Sequence, residues 1–471
     1  MRKTKIICTI GPATDSPDML RAMAQHGMNV ARFNMSHGSH ESHKLVVDRV
    51  KALNASMNNA VALLMDTQGP EIRTGDLSSE LKLQQGDEIT VSVRGSESVE
   101  VNSLQINYED LITAVEVGDR ITVDNGLINL AVLEKNERTL KCRVVDGGIL
   151  KSKRHVNLPG IRVNLPSITQ KDRRDVQFAI ENDFDFIALS FVRTAADVRE
   201  LRAMLAAQGS HIRIIAKIED QEGLRNVADI IDEADGIMVA RGDLGVEINI
   251  EDLPNVQRQI VRLCAIKGKP VIVATHLLES MIDNPIPTRA EVTDVANAIY
   301  EEVDAVMLSG ETTVGKYPLR CIEYLEKVAL ASEKTPGLRF SDQMQMPLAK
   351  QQLASHAVRL ADAVKAKGIL VITRRGLMAG YASSSRPYGC PIYAFTFDAW
   401  VQRQLRLLRG VDAYCINLDS DAEKMIRNAF SSLVSRNCAQ AGDQFVVISD
   451  VIVEGGVDAI QLRSIPVQLP V

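Results

Sequence analysis

Eight short apolar runs, alternating with amphipathic segments, constrain the fold of this chain more than any other feature of its sequence. The runs are rich in β-branched residues and are Thr4–Ile10, Asn29–Met35, Ala60–Met65, Phe186–Phe191, Ile212–Ile218, Gly236–Ala240, Val271–Thr275 and Ala305–Leu308. Such runs are typical of parallel strands that are buried on both faces. The segments between them predict helices at Asp18–Gln25, Glu41–Ala52, Ala195–Ala207, Val227–Glu233, Glu251–Ala265, Arg289–Glu301 and Pro318–Leu330. Alternating strands and helices indicate βαβ units.

Two architectures accommodate this alternation: a closed (β/α)8 TIM barrel and an open, doubly wound sheet. The number of strands is that of a barrel, and the sequence contains no Gly-rich dinucleotide-binding fingerprint, so we favour the barrel. In a barrel, the active-site residues lie on the loops that follow the strands.

The sequence changes character twice along the chain. Between about Gly69 and Pro166, short alternating strands are separated by turn residues, which predicts an all-β insertion. An insertion in a βα loop lies over the active-site face, so we expect a β-barrel-like lid. After about Phe340 a further α/β region begins. The predicted domains are therefore a barrel (1–69 and 167–342), an inserted lid (70–166) and a C-terminal α/β domain for regulation or oligomerisation (343–471).

Composition and charge exclude several classes of function. The chain has 54 Lys plus Arg against 60 Asp plus Glu, whereas a general nucleic-acid-binding protein would be basic. No apolar run approaches the ~20 residues of a membrane span. The seven cysteines form no CxxC pair, which fits reduced thiols better than a disulfide framework. We therefore expect a cytoplasmic protein that binds neither nucleic acid nor membrane.

Polar and charged residues follow the predicted barrel strands, where a barrel would gather them at one mouth. The cations are Arg32, Arg73, Arg193, Lys217 and Arg241, and the carboxylates are Asp66, Glu71, Glu219, Asp243 and Glu311. A few carboxylates with open positions suit Mg²⁺, which completes its octahedron with water and substrate phosphates. Cationic side chains that bind phosphate around a hard metal ion are typical of phosphoryl-transfer sites.

Taken singly, Lys217 and Glu219 are weak evidence for a functional site. A lysine close to a glutamate at a strand end is usually a surface ion pair. Side chains at i and i+2 of a strand share one face, however, so both residues point to the same side. This geometry favours a shared role in the mouth.

Six motifs resemble those of the pyruvate kinase family in its bacterial form. They are Thr4–Pro12, Asn34–Gly38, Asp66–Arg73, Val239–Glu247, Pro287–Glu291 and Met307–Thr312. The resemblance is colinear from residue 1 to about 335 and weaker beyond. It implies a barrel, a lid inserted after the third strand and a C-terminal α/β domain. It also implies the last step of glycolysis, in which the phosphoryl group of phosphoenolpyruvate passes to ADP to give pyruvate and ATP, in a homotetramer.

The resemblance also implies roles for individual residues around the substrate. Glu219 and Asp243 would bind Mg²⁺ or Mn²⁺, and Lys217 would stabilise the charge on the moving phosphoryl group and the enolate. The residues that would contact phosphoenolpyruvate are Arg32, Lys217, Gly242 and Thr275. The enolate must then be protonated at carbon, and the candidates for this relay are Thr275, Ser309 and Glu311.

Nucleotide and monovalent-cation sites follow from the same resemblance. The predicted nucleotide contacts are Arg73, Lys171 and His37. The predicted K⁺ ligands are Asn34, Ser36, Asp66 and Thr67. Glu71 resembles the residue of K⁺-dependent members, whereas a lysine there would supply the positive charge itself.

Four positions depart from the family pattern: Gln68, Asn125, His155 and His276. None of them is Lys217 or a predicted metal ligand. Two other functions remain open from the sequence: a carbon–carbon lyase on a phosphoenolpyruvate/pyruvate-type barrel, and a non-catalytic effector-binding subunit. A lyase would need neither a lid nor a nucleotide contact such as Lys171.

Overall fold

The computed structural model describes residues 2–57, 60–93, 103–161, 163–419, 421–449 and 459–466. Eight parallel strands close into a barrel. They are β1 (Lys5–Thr9), β2 (Val30–Asn34), β3 (Ala62–Asp66), β4 (Phe186–Leu189), β5 (Arg213–Ile218), β6 (Gly236–Ala240), β7 (Val271–Ala274) and β8 (Ala305–Leu308). Their spatial order is β1-β8-β7-β6-β5-β4-β3-β2. The closed barrel is confirmed, and the open sheet is excluded.

Side chains alternate between the barrel interior and the surrounding helices. Ile7 lies in the interior cluster, whereas its neighbours Ile6 and Cys8 pack outward in the helix-facing core. Such alternation lets strands that are apolar on both faces bury both layers. The interior cluster also includes Leu407 of the C-terminal region, which is 1% exposed. The two regions therefore share part of one core.

The barrel helices cover the outside of the strands. They are Pro17–Gln25, His40–Ser56, Gln170–Glu181, Ala195–Ala207, Val227–Glu233, Leu253–Lys267, Arg289–Tyr300 and Pro318–Ser332. Short helices at Gln221–Arg225, Arg241–Glu247 and Gly310–Thr313 follow strand ends. The sequence pattern missed Gln170–Glu181, since this helix opens with a run of polar residues that conceals its apolar face. Its start is fixed by a capping box between Thr169 and Asp172.

The insertion is built from antiparallel and mixed β-structure with its own hydrophobic core. A six-stranded sheet has the order Val156–Asn157, Arg120–Val123, Ile128–Lys135, Thr139–Asp146, Glu88–Val93 and Ser103–Ile106. A two-stranded sheet pairs Leu81–Leu83 with Gly148–Leu150. One helical turn, Leu111–Ala114, adds to the predicted strands.

The C-terminal region is a five-stranded α/β unit. Its sheet has the order Val411–Cys415, Ile392–Thr396, Gly368–Ile372, Gln444–Ser449 and Ala459–Ser464, and only the last strand is antiparallel. Its helices are Ala349–Ala363, Leu377–Ser384, Ala399–Leu405 and Ala422–Ser435. In the described part of the chain, no helix combines the length and apolarity needed to cross a membrane.

Buried polar contacts join the C-terminal region to the end of the barrel opposite the mouth. Arg386 and Asp304 form a bidentate ion pair, with donor–acceptor distances of 2.9 and 2.7 Å. Lys5 of β1 is 2% exposed and donates to the backbone oxygen of Val411 at 2.6 Å. Its burial lowers its pKa to about 7, although Asp412 opposes the shift.

We expect Lys5→Met to stabilise the protein in a pH-dependent way. The unfolded chain keeps the lysine proton up to about pH 10, whereas the folded protein loses it near pH 7. The unfolded state therefore binds more protons between these values, so the stability of the unmodified protein rises with pH there. The advantage of Lys5→Met should shrink by about 2–3 kcal/mol between pH 7 and pH 9. Denaturant unfolding at both pH values measures this difference, and a constant advantage would contradict it.

Candidate active site

The carboxyl ends of β2, β3 and β5 bring three charged groups into contact. Arg32 donates to Asp66 through Nε at 2.7 Å and Nη2 at 2.6 Å. Lys217 donates to the other carboxylate oxygen of Asp66 at 2.9 Å. The register of the neighbouring strands β2 and β3 also aligns Asn34 with Asp66. One carboxylate thus holds two cations at the mouth.

Lys217 lies at the centre of this network. Its Nζ atom is 2.9 Å from Glu219, 2.9 Å from Asp66 and 2.7 Å from the hydroxyl of Ser190. The residue is 8% exposed. Burial alone would lower its pKa, but Asp66 and Glu219 raise the pKa above its ordinary value. The ammonium is therefore a fixed positive charge at neutral pH.

Glu219 and Asp243 form a carboxylate pair beside this lysine. One oxygen of Glu219 contacts Lys217, and the other accepts from the backbone N–H of Phe191 at 2.6 Å. Burial raises the pKa of both carboxyl groups, and Asp243 raises that of Glu219 further. A divalent cation would relieve this unfavourable burial of charge, so the oxygen donor set fits Mg²⁺ or Mn²⁺. Among the described residues, no group of three or more His, Cys, Asp or Glu side chains is arranged to hold a metal.

The predicted K⁺ ligands lie together at the ends of β2 and β3. The Asn34 side-chain oxygen accepts from the backbone N–H of Ser36 at 3.1 Å. Thr67 accepts from the backbone N–H of Ser190 at 3.0 Å, and its own backbone oxygen accepts from the Ser190 hydroxyl at 2.7 Å. These groups and Asp66 offer oxygen donors only, which suits a hard monovalent cation.

Glu71 and Arg73 pair with each other at the edge of the mouth. Arg73 Nε donates to Glu71 at 2.6 Å, and Gln68 donates to the same carboxylate oxygen at 2.9 Å. Burial opposes ionisation of Glu71, but the bonds from Arg73 and Gln68 hold its pKa below the usual value. Glu71 is therefore an anion at neutral pH.

The other predicted nucleotide contacts are Lys171, on the Gln170–Glu181 helix, and His37, in the loop after β2. Lys171 donates to the backbone oxygen of Met35 at 2.6 Å and to Asp175 at 2.7 Å. His37 is exposed, and its backbone oxygen lies 2.7 Å from the ring of His43. Lys171 thereby ties the Gln170–Glu181 helix to the loop after β2.

The three candidates for the proton relay differ in their surroundings. The Thr275 hydroxyl accepts from the backbone N–H of Gly242 at 2.7 Å. Glu311 accepts from the backbone N–H groups of Leu278 and Ser309, at 3.1 and 2.7 Å. The Ser309 hydroxyl is buried without a hydrogen-bond partner in the described structure. Glu311 thus braces the loops after β7 and β8.

Two of the five predicted mouth cations serve other purposes, so the sequence interpretation of them is wrong. Arg193 donates to the backbone oxygens of Val163 and Leu165, in the segment that returns from the insertion to the barrel. Arg241 is buried beneath the loop after β7 and pairs with Asp294 at 2.7 Å. Both side chains are long enough to leave the mouth for carbonyl acceptors.

Sequence reasoning also missed the part played by Phe191. Its backbone has φ of 51°, a left-handed conformation that is uncommon for a residue other than glycine. This conformation accompanies the bond from its N–H to Glu219. The phenylalanine side chain gives no sequence signal for such a backbone role.

The positions that depart from the family pattern leave the central contacts in place. His155 lies beside Phe191, with ring centroids 6.2 Å apart, and burial lowers its pKa. Asn125 takes φ of 56° in a turn, which asparagine tolerates better than most residues. The side chain of His276 is 57% exposed. None of these three touches Lys217.

Comparisons with known proteins agree with this geometry. The family described as "Pyruvate kinase, barrel domain" matches residues 1–322, and "Pyruvate kinase, alpha/beta domain" matches residues 351–462. Plastidial pyruvate kinase 2 of Arabidopsis thaliana is 43% identical over 457 residues, which cover 95% of this chain and 78% of that protein. The pyruvate kinase of Staphylococcus aureus (strain USA300) is 41% identical over 459 residues, which cover 96% and 78%.

A solved structure extends the agreement to the whole fold. The crystal structure of a pyruvate kinase from Cryptosporidium parvum matches with a TM-score of 0.93 and 36% identity, over 99% of this chain and 96% of that one. The family match spans the barrel, and the relatives are well over 30% identical along most of their length. The chain is a phosphotransferase, and it belongs to the pyruvate kinase family.

Proposed function

We propose that the mouth of this barrel transfers the phosphoryl group of phosphoenolpyruvate to ADP, giving pyruvate and ATP. The observation that carries the proposal is the position of Lys217, a buried cation held between Asp66 and Glu219 at 2.9 Å from each. The leaving group of this reaction is an enolate, and a fixed cation at its oxygen lowers the barrier electrostatically. The raised pKa of Lys217 keeps that charge in place.

The surrounding residues complete the substrate site. Arg32 is held by Asp66 and by the hydroxyl of Thr9 at 2.8 Å, which orients its guanidinium toward a substrate phosphate. Glu219 and Asp243 would hold the divalent cation, Mg²⁺ or Mn²⁺, which neutralises phosphate charge when bound. Gly242 lies beside Thr275 and leaves room for substrate at this side of the mouth.

Protonation of the enolate at carbon needs a group other than Lys217. An ammonium with a raised pKa is a poor proton donor at neutral pH. The hydroxyls of Thr275 and Ser309 are the proposed relays. The Ser309 hydroxyl has no hydrogen-bond partner among the described residues, and Thr275 carries a hydroxyl proton that it donates to the backbone oxygen of Ala274 at 2.7 Å. Both oxygens of Glu311 instead accept from backbone N–H groups. Glu311 positions the loops that carry the two hydroxyls.

ADP would lie on the opposite side of the phosphoryl group. Arg73, Lys171 and His37 are the proposed contacts of the nucleotide. Both cations are partly solvent-accessible, with side chains 35% and 41% exposed. A K⁺ ion between Asn34, Ser36, Asp66 and Thr67 would add positive charge close to the transferred group.

The dependence on a monovalent cation gives a specific test. We expect Glu71→Lys to give an enzyme that works without K⁺, because the lysine places a positive charge where the unmodified protein has a carboxylate. Steady-state rates with K⁺ or with a bulky organic cation should differ by more than about tenfold for the unmodified chain and less than about twofold for the variant. Glu71→Gln, which removes the negative charge without adding a positive one, is the matched control and should remain K⁺-dependent. Equal K⁺ dependence of Glu71→Lys and the unmodified chain would contradict the assignment.

The lyase alternative is not favoured, because the relatives are pyruvate kinases throughout the barrel and the C-terminal region. Pyruvate release measured with and without ADP separates the two reactions. A kinase releases pyruvate only with ADP, whereas a lyase releases it without a nucleotide. A homotetrameric assembly and a cytoplasmic location remain part of the proposal.

A further inference from the structure

The loop after β7 holds two consecutive residues in a left-handed conformation. Thr275 has φ of 68° and His276 has φ of 53°. Such a conformation is a genuine outlier for a β-branched residue such as threonine and is energetically unfavourable on its own. The surrounding structure must therefore hold the turn in place.

Arg241 supplies the holding contacts. Its guanidinium donates to the backbone oxygens of Thr275 at 2.7 Å and of His276 at 3.3 Å, with a longer contact to Ala274 at 3.4 Å. The third nitrogen, Nη1, pairs with Asp294 at 2.7 Å, and the residue is 8% exposed. One rigid, buried fork thus spans three successive carbonyls of the turn.

The turn has a chemical consequence because it orients the Thr275 hydroxyl. That hydroxyl accepts from the N–H of Gly242, the residue directly after Arg241, and donates its proton to the backbone oxygen of Ala274 at 2.7 Å. To protonate the enolate, it would exchange the bond to Ala274 for one to the reacting carbon. A methyl group added at Gly242 would lie 3.4 Å from both the Thr275 hydroxyl and the His276 ring. Arg241 and Gly242 therefore fix the threonine from two sides, the first through its backbone and the second through its side chain.

We propose that Arg241 is a positioning residue for protonation of the enolate, because it holds Thr275 in the strained geometry that presents its hydroxyl to the reacting carbon. The inference rests on the proposed function and deepens it. Arg241 does not touch substrate; it acts through Thr275. When the enolate is protonated, a C–H bond forms, the hydroxyl relay gives up the proton, and solvent restores it.

Arg241→Gln separates this role from a merely structural one. We expect kcat to fall by about 10-fold to 100-fold, since small displacements of a reacting group carry costs of this size. Exchange of the methyl protons of pyruvate with deuterated solvent, the reverse of carbon protonation, should fall by a similar factor. The dissociation constant for Mn²⁺ should stay within about twofold. Arg262→Gln, in an exposed arginine that bonds to Gln343, is the matched control and should leave all three quantities unchanged.

A double-mutant cycle tests the route through Thr275. In a Thr275→Ala background there is no hydroxyl to position, so adding Arg241→Gln should lower kcat by less than about threefold more. A full additional 10-fold to 100-fold loss would overturn the proposal.

A glycine rescue tests the strain directly. Glycine adopts positive φ without steric cost, so adding His276→Gly to Arg241→Gln should raise kcat at least about threefold above that of Arg241→Gln alone.

If Arg241→Gln does not fold, Arg241→Lys replaces it in every comparison, because lysine keeps the charge but cannot span three carbonyls. If the unmodified chain makes ATP and both Arg241 variants keep its rate, the positioning role is overturned and the proposed function is not. If the unmodified chain folds but makes no ATP, the proposed function itself is overturned.

Discussion

Replacing Lys217 with methionine is expected to lower kcat by about 100-fold to 1,000-fold. Methionine preserves much of the volume and removes the only positive charge within 3 Å of both Asp66 and Glu219 among the described residues. Loss of one fixed electrostatic donor in comparable sites costs about 3–4 kcal/mol of transition-state stabilisation. Rates of ATP formation at saturating phosphoenolpyruvate and ADP measure the effect.

The matched control for Lys217→Met is Lys5→Met. Lys5 is also a buried lysine of a barrel strand, but its side chain meets Val411 at the opposite end of the barrel. We expect this control to keep kcat within about twofold, because it lies far from the mouth. Lys217→Met should still bind Mn²⁺, since Glu219 and Asp243 remain. A Lys217→Met enzyme with a near-normal rate would remove Lys217 from the mechanism.

Asp304→Ala is expected to destabilise the protein by about 3–5 kcal/mol. The carboxylate accepts hydrogen bonds from both terminal nitrogens of Arg386, at 2.9 and 2.7 Å. It also accepts from the backbone N–H groups of Val271 and Arg409, each at 3.1 Å. Its removal leaves a buried guanidinium without its counter-ion at the joint between the barrel and the C-terminal region. Denaturant unfolding of the variant and of the unmodified chain measures the loss.

A paired replacement provides the control for Asp304→Ala. In Asp304→Asn combined with Arg386→Met, neither buried charge remains, and the amide can still accept a backbone N–H. This double variant should be more stable than Asp304→Ala, because breaking a buried pair costs more than replacing both partners. A double variant that is less stable than Asp304→Ala would show that the penalty does not come from the unpaired arginine.

The eight barrel strands could be predicted because burial on both faces produces continuous apolar runs. The predicted Gly236–Ala240 and Ala305–Leu308 coincide with the observed strands, and the other six differ only at their ends. The Gln170–Glu181 helix could not be predicted in this way, because its first turns are polar. Hydrophobic periodicity predicts a helix only where one of its faces is buried, so it does not mark a helix that begins with exposed polar residues.

The contact between Lys217 and Glu219 could also be predicted, since alternate residues of a strand share a face. The roles of Arg193 and Arg241 could not, because a long arginine side chain reaches acceptors in several directions from one backbone position. The same holds for the positive φ values of Phe191 and Thr275. Tertiary contacts impose these conformations, and neither residue type indicates them.

Transfer of a radiolabelled phosphoryl group from phosphoenolpyruvate to ADP tests the central claim most directly. The purified chain, with Mg²⁺ and K⁺, should convert the label into ATP in equal amount to the pyruvate formed, and Lys217→Met should lose this transfer while Lys5→Met retains it. Release of the label as inorganic phosphate, or pyruvate formed without labelled ATP, would contradict the account.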